Sequence, residues 1–546
     1  TDSDGTRTEC LRRGSSKAWT PLSAFASPSA DDNGSSNDSN DTEDQPKKSL
    51  NVTHVAHHML PLFDYASIII PSEFHPYTPV RIAATAGMRL LPSEEQARVY
   101  DALHEGLSQQ IAHGRFVFTD LRREDVMTLD GEREGFYGAV AANYLRGVVD
   151  AELRVIVPAD EYDDDDENYV GNGDVQTDPA GSDDTDDQGI CTNKFGMCEQ
   201  DAEDIVFGPS HHYIAQNMHD VKRHGPLGAL DMGGSSTQIV YRHTVDGDGR
   251  YRTLGANDST EGGMDMLADN DTTEKDYDVP SHLNDKEFFS TSYLSYGADQ
   301  FRERLWDLWV SETEKNSHGE NSPSVIFNPC SFVGYQMNYR GYTLLGTGNA
   351  ISCTDQINRL IPHHDNAIDL DELYPWLYDE NTESLMSDSD QQEQAMKRKM
   401  VGGVEHPPLR GKFYGMSLYF FTLDCLRELS DNDHPIHVSW PTPSIEELTH
   451  ALDAFCARKW QGDLEEVQHE VHEHTRAEVL PHRCVEAVYM VTLLRDGFGF
   501  HPSSRDITFT QWVEGNEVEW SLGMALSEFA AEKGRRRDSK RGVEVL

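Results

Sequence analysis

Across 546 residues, 46 Lys and Arg face 95 Asp and Glu, a formal charge of −49. So acidic a surface repels phosphate backbones at long range, which excludes nucleic-acid binding through a basic face and leaves any nucleotide to be gripped locally. Length alone suits roughly two to four domains or one two-lobed enzyme with insertions, and a hydrophobic fraction of 37% points to a folded core interrupted by solvated acidic segments.

In chain order, residues 27–49 lack apolar periodicity and read as a flexible insert. His54 to Ile70 carries apolar residues at helical spacing, and PVRIAATAGMRLLP (79–92) predicts a short buried strand ending in a small-residue turn. Ser93 followed three residues later by Gln96 has the capping-box form and predicts a helix through His113. RFVFTDL (115–121) predicts another strand, and Glu134 to Gly147 a helix packed by aromatic and small side chains. Between Asp160 and Gln188 lie thirteen acids and no base; without calcium-loop spacing, the run reads as solvated loop. GALDMGGSSTQIVY (228–241) predicts strand, tight glycine turn and strand. A second polar insert covers 365–399, and from about Pro407 helical and strand patterns alternate, which favours an α/β class.

No stretch approaches the ~20 apolar residues of a membrane helix, and residues 1–20 lack the apolar run of a signal peptide. The spacing of the later cysteines allows two local pairs, Cys330 with Cys353 and Cys456 with Cys484, free core thiols being the alternative. Asn33, Asn37, Asn40, Asn51, Asn257 and Asn270 each begin an Asn-x-Ser/Thr sequon, which favours a lumenal or extracellular address. The pairs His57-His58, His211-His212 and His363-His364 show no metal-ligand spacing and read as surface or loop residues. Five basic residues between Arg535 and Arg541 resemble a juxtamembrane flank or form an exposed basic tail.

Two small-residue turns carry possible chemistry. Thr85-Ala86-Gly87 and Gly233-Gly234-Ser235 let backbone N–H groups approach phosphate oxygens closely, with no Walker lysine required. Asp231 stands at a strand end just before the second turn, where a carboxylate can hold Mg2+ or Ca2+ through water or simply initiate the turn. Glu134 opens a helix, a favourable place for a carboxylate in any case and a possible base toward water.

TAGMRLLP (85–92), EREGFYGAVAANYLRG (132–147), GALDMGGSSTQIVY (228–241), STSYLSYGADQFRERL (290–305), PPLRGKFYGMSLYFF (407–421) and WSLGMAL (520–526) together resemble the nucleoside triphosphate diphosphohydrolase, or apyrase, family, in that family's order. PLFDYASIIIP, LDMGG and the FCARKW region look most like its Golgi and lysosomal branch. The resemblance implies an α/β, two-lobed fold of the actin-like ATPase and sugar-kinase superfamily with an interlobe cleft. Lobe I would comprise residues 1–148 and 497–546, and lobe II residues 149–496 with acidic inserts at about 158–190 and 365–399. It implies hydrolysis of nucleoside tri- or diphosphates to monophosphate and orthophosphate, dependent on Ca2+ or Mg2+, in an endomembrane lumen or outside the cell.

Carried over residue by residue, Glu134 would activate water that Ser236 and Gln238 hold, and Asp231 would organise the cation's water shell. Thr85, Ala86 and Gly87 would contact phosphate from one side, and Gly233, Gly234 and Ser235 from the other. Phe413, Tyr414, Tyr419 and Phe421 are candidates for stacking the base, with core packing as the alternative. The expected partner is a nucleotide rather than nucleic acid, with membrane anchoring assigned to segments beyond this sequence. A related phosphotransferase or exopolyphosphatase, or a non-catalytic nucleotide-binding protein, is the alternative function. One departure stands out: the family's Asp-x-Gly-Ser-Ser-type strand and turn is missing before Cys10, Asp2 to Arg7 bearing only a faint likeness to it. The sequence is therefore expected to be truncated, and the truncated chain to be inactive or unstable where the complete protein is an enzyme.

Overall fold

The computed structural model describes residues 22–26, 52–156, 226–242, 282–316, 325–362, 400–405, 407, 409, 411–467 and 472–544. The six sequon asparagines, the three inserts, and the pairs His211-His212 and His363-His364 fall outside the described residues.

The first part is built on two helices and two short strands. Helix α1 (Val52–Ile69) and helix α2 (Ser93–Ala112) cover a parallel pair, β1 (Ile82–Ala84) and β2 (Val126–Thr128). Their shared core includes Val55, Leu60, Val99, Leu103, Leu107, Phe116 and Phe118. The strand expected at 115–121 is not formed. Phe116 and Phe118 alternate inward as a strand would, yet the backbone meets β1's segment only in a bridge between Pro79 and Asp120; the pairing strand lies later, at β2. The Ser93 capping box is also absent. Pro92 is the N-cap, without a side-chain cap bond. The Gln96 amide instead donates to the Leu91 carbonyl at 2.8 Å and accepts from the Thr128 hydroxyl at 2.6 Å, tying α2 to β2.

The larger sheet has five strands in the order β10–β9–β3–β4–β5. Strands β3 (Gly228–Met232), β4 (Ser236–Arg242) and β5 (Phe288–Leu294) form an antiparallel meander. Strand β9 (Phe413–Gly415) runs parallel to β3, and β10 (Ile507–Phe509) parallel to β9. This α/β arrangement agrees with the expected fold class. A second sheet, β6 (Val325–Asn328), β8 (Tyr342–Gly346) and β7 (Gln336–Tyr339) in spatial order, lies beside helix α4 (Ala298–Asn316) and helix α5 (Ala350–Asn358).

The two faces of the five-stranded sheet have different work because side chains alternate along each strand. Leu230, Met232, Ile239, Tyr241 and Tyr293 point into the main core, shared with helix α6 (Leu418–Glu428), helix α7 (Ile445–Cys456) and helix α8 (Arg483–Thr492). Ala229 and Val240 point the other way, onto helix α3 (Gly131–Leu145). Helix α9 (Trp520–Glu544) lies against α3 so closely that a Cβ at Gly523 would sit 1.9 Å from the Tyr137 carbonyl oxygen. Helix α3 and strand β10, which the sequence reading assigned to the first lobe, are thus both attached to the five-stranded sheet. Among the described residues, no helix is long and apolar enough to cross a membrane.

Both cysteine pairs allowed by spacing are disulfides: Cys330–Cys353 joins the end of β6 to α5, and Cys456–Cys484 joins α7 to α8. Cys425 is a buried free thiol. Closing a loop of sequence separation 23 restricts the unfolded chain by about 3 kcal/mol. Cys353→Ser should therefore lower unfolding free energy by about that amount, and denaturant titration with the wild type under oxidising conditions checks it.

Candidate active site

Strand register assembles the polar face. Asp231 of β3 lies opposite Gln238 of β4, and Gln238 lies opposite Ser292 of β5, so all three side chains share one row on the α3 side of the sheet. Ser236, two residues before Gln238, joins them by the period of the strand. Helix α3 delivers Glu134 onto this row. Asp130 caps the helix, accepting from the Glu132 and Arg133 N–H groups, and Glu134 falls in the first turn. The next residue must be small: a Cβ at Gly135 would lie 2.8 Å from Val240 Cγ2 and 3.1 Å from Gln238 Cβ.

Glu134 is 7% exposed. Its Oε2 accepts from Gln238 Nε2 at 3.1 Å, and the same amide nitrogen donates to Ser236 Oγ at 2.8 Å and Ser292 Oγ at 3.0 Å. The Thr85 hydroxyl also bonds to the Glu134 carboxylate, bringing the first small-residue turn to the same place. Thr85 itself precedes the helical turn Ala86–Arg89, its carbonyl accepting from the Met88 and Arg89 N–H groups. The structure therefore brings together Thr85, Glu134, Ser236 and Gln238, with Asp231 beside Gln238.

The second turn, Gly233-Gly234-Ser235, rests on the start of α4. The Ala298 N–H donates to the Gly233 carbonyl, and the Asp299 and Gln300 N–H groups to that of Gly234, each at 3.0 Å. Gly297 makes the contact possible, since a Cβ there would lie 2.3 Å from Ser235 N and 2.4 Å from Ser236 N. At Gly233, by contrast, a Cβ would meet nothing nearer than 3.8 Å, so this side of the turn is open.

Two polar residues of this cluster escaped the sequence reading. Arg89, at the end of the Ala86–Arg89 turn, pairs with Glu134 at 2.9 Å, and Ser292 supplies the row's second hydroxyl, beside that of Ser236. Both lie inside the segments that carry the family resemblance, yet neither has local spacing that would single it out.

Burial pushes the Glu134 carboxyl up to about 7; the Arg89 guanidinium opposes that rise, the Asp231 charge adds to it, and bonds from Arg89 and Thr85 moderate it. Burial likewise raises Asp231, moderated by bonds from the Ser417 side chain and the Met232 N–H. Asp231 Oδ1 is buried with no hydrogen-bond partner. Ser417 adopts φ 55°, a left-handed conformation that costs a non-glycine residue about 1–3 kcal/mol, and its N–H donates to Gln511 Oε1 at 2.9 Å. Among the described residues, no three His, Cys, Asp or Glu side chains are grouped to hold a metal ion directly.

Of the four rings considered for base stacking, Phe413, Tyr414 and Tyr419 are buried in the core and present no free face; Phe413 packs on Tyr241 and Phe500. Phe421 is partly buried and neighbours Phe420 and His474. Phe420 and His474 both lie against Trp512, which is 42% exposed. His474 and Trp512 come from distant segments, so sequence spacing could not associate them with Phe421.

Two measurements check this geometry. A carboxyl raised from 4.5 to about 7 favours the fold below pH 4.5, and this contribution is lost as pH climbs through 7. In chelator, the wild type should therefore lose about 3 kcal/mol more stability than Glu134→Gln between pH 4.5 and 8, as read by denaturant unfolding. Gly297→Ala should cost about 1–3 kcal/mol, because the added methyl meets backbone that can yield only by shifting the turn.

The GDA1/CD39 (nucleoside phosphatase) family matches residues 47–175, 208–372 and 377–538. Ectonucleoside triphosphate diphosphohydrolase 1 of Bos taurus is 24% identical over 463 residues, 85% of this chain and 68% of that protein. Ectonucleoside triphosphate diphosphohydrolase 4 of Homo sapiens is 23% identical over 489 residues, 86% and 62% of the two chains. The Golgi apyrase of Saccharomyces cerevisiae is 23% identical over 490 residues, 86% of this chain and 58% of that one. This chain thus spans about two thirds or less of these relatives' length. A crystal structure of nucleoside triphosphate hydrolases from Neospora caninum aligns with a TM-score of 0.48 at 14% identity, covering 88% of this chain and 79% of the other. With the family matched across most of its length, the chain belongs to the GDA1/CD39 family of nucleoside phosphatases, the enzymes of apyrase type that the segment pattern resembles.

Proposed function

We propose that this protein hydrolyses nucleoside tri- and diphosphates by in-line attack of a water molecule that Glu134 deprotonates. One observation carries the reading: Thr85 from the turn after β1 and Gln238 from β4 both bond the buried Glu134 carboxylate of α3, and the same Gln238 amide reaches the Ser236 hydroxyl. A base needs a proton affinity near the working pH, and burial gives Glu134 one of about 7. As the water oxygen bonds phosphorus, its proton passes to Glu134; the bond to the bridging oxygen breaks and its electron pair leaves with the shortened nucleotide. Ser236 and Gln238 orient the water. Backbone of the turns at Thr85–Gly87 and Gly233–Ser235 holds the phosphoryl oxygens from two sides.

The unpartnered Asp231 Oδ1 fits a water-bridged cation of the hard, oxygen-preferring kind, Ca2+ or Mg2+. Such an ion neutralises phosphate oxygens when bound. In this reading the nucleobase stacks on the aromatic cluster of Phe421, His474 and Trp512, where stacking tolerates different nucleobases. The sequons and the two disulfides support an endomembrane lumen, as in the Golgi, or the cell exterior as the place of work, with glycans on the sequon asparagines.

Glu134→Gln should lower turnover at least about 1,000-fold while nucleotide affinity changes little, and removing divalent cations with chelator should abolish phosphate release from the wild type. Phosphate release from nucleoside tri- and diphosphates and from polyphosphate reads both effects. Near-normal turnover by Glu134→Gln would overturn the assigned base, and a preference for polyphosphate would overturn the assigned substrate.

A further inference from the structure

Arg89 points its guanidinium between Glu134 and Ser236, where the proposed reaction needs its water. Its Nη2 lies 2.9 Å from Glu134 Oε2, 3.1 Å from Ser236 Oγ and 3.4 Å from Ser292 Oγ. These are the same three oxygens that receive Gln238 Nε2. Nη1 meanwhile donates to the Leu129 carbonyl at 3.1 Å. The guanidinium is largely enclosed, its side chain 14% exposed and that of Glu134 8%.

A guanidinium carries donors only and is not deprotonated in proteins. With Nη2 against Glu134, the carboxylate has no proton to take, and a water placed between Glu134 and Ser236 would overlap the nitrogen. We propose that Arg89 is a substrate-displaced gate: it fills the water position in the free enzyme and is drawn off by the terminal phosphoryl group of the nucleotide, which it then helps to neutralise. The inference rests on Glu134 being the base.

Three features support displacement. Arg89 ends the short helical turn that begins just after Thr85, so a phosphoryl group held at Thr85–Gly87 arrives within one turn of the side chain's origin. A phosphoryl group offers pairs of charged oxygens that a guanidinium can grip bidentately, whereas Glu134 engages Nη2 through a single oxygen. Withdrawal also leaves acceptor and donor groups suited to water: Glu134 Oε2 accepts, the Gln238 amide donates, and the hydroxyls of Ser236 and Ser292 do either. The exchange couples opening of the water position to arrival of the group to be attacked, so the base is not left charged and unpartnered in a buried site.

Steady-state phosphate release from the full-length protein tests the gate. Arg89→Ala should lower kcat about 100-fold and raise KM, and added guanidinium ion should restore kcat at least about 10-fold. Arg89→Lys should keep more of kcat than Arg89→Ala and needs no restoration of folding, which thermal unfolding of each variant reads. In a complex with a non-hydrolysable nucleoside triphosphate analogue and a divalent cation, Arg89 Nη2 should lie on the terminal phosphoryl group, with a water between Glu134 and Ser236. Arg89→Ala with wild-type kcat and KM, loss in a well-folded variant that guanidinium does not restore, or an Arg89–Glu134 pair still intact in the complex would each overturn the gate. Glu134→Gln separates the two readings: if it stays active the base assignment fails, whereas if it is inactive while Arg89→Ala behaves as wild type, the gate alone fails.

Discussion

The site depends on a row of polar side chains fixed by strand register. Asp231, Gln238 and Ser292 are neighbours because β3, β4 and β5 pair in one register; a slip of one residue would turn all of them into the apolar core. That core makes a slip costly, since Leu230, Met232, Ile239 and Tyr241 would move in the opposite sense, from beside α6 and α8 toward α3. Hydrophobic burial on one face thus holds the chemistry on the other.

Enclosure sets the character of the carboxylate. Glu134 lies between a sheet and the first turn of a helix, and Gly135 lets the two approach until water is largely excluded. In that setting an ionised carboxylate is disfavoured unless partnered, and its partners come from two places: Arg89 and Thr85 from the turn after β1, and Gln238 from the sheet. The ion pair therefore ties the small first sheet to the large one. It is also the interaction that must loosen if solvent is to react, so one contact serves stability in the free enzyme and timing in the occupied one.

The rest of the second part acts as support. Helix α4 receives the glycine turn on its first N–H groups, and the disulfides fasten α5, α7 and α8 around the core beneath it. Ser417 is held in a left-handed conformation where its side chain meets Asp231 and its N–H meets Gln511, joining β3, α6 and the segment after β10.

Much of this was legible in the sequence where the signal is local or segmental. The Gly233–Ser235 hairpin and the helices at 52–69 and 131–145 follow from periodicity and glycine placement, spacing allowed the two cysteine pairs without choosing them over free thiols, and the ordered segments led to Glu134, Ser236 and Gln238. Inference failed where side chains answered to distant partners. Gln96 gives up the Ser93 box for a bond to Thr128, and Phe116 and Phe118 alternate like a strand while packing without one. Three of four aromatic candidates proved to be core, because a ring's exposure depends on what is laid over it. Sequence by itself determined which residue types could bind phosphate and accept a proton, since these are properties of the groups and their immediate neighbours. Tertiary structure alone decided that Arg89 stands against Glu134 and that Ser292 completes the row, because hydrogen bonds between residues 45 and 203 positions apart exist only once the sheet and helix have closed on each other.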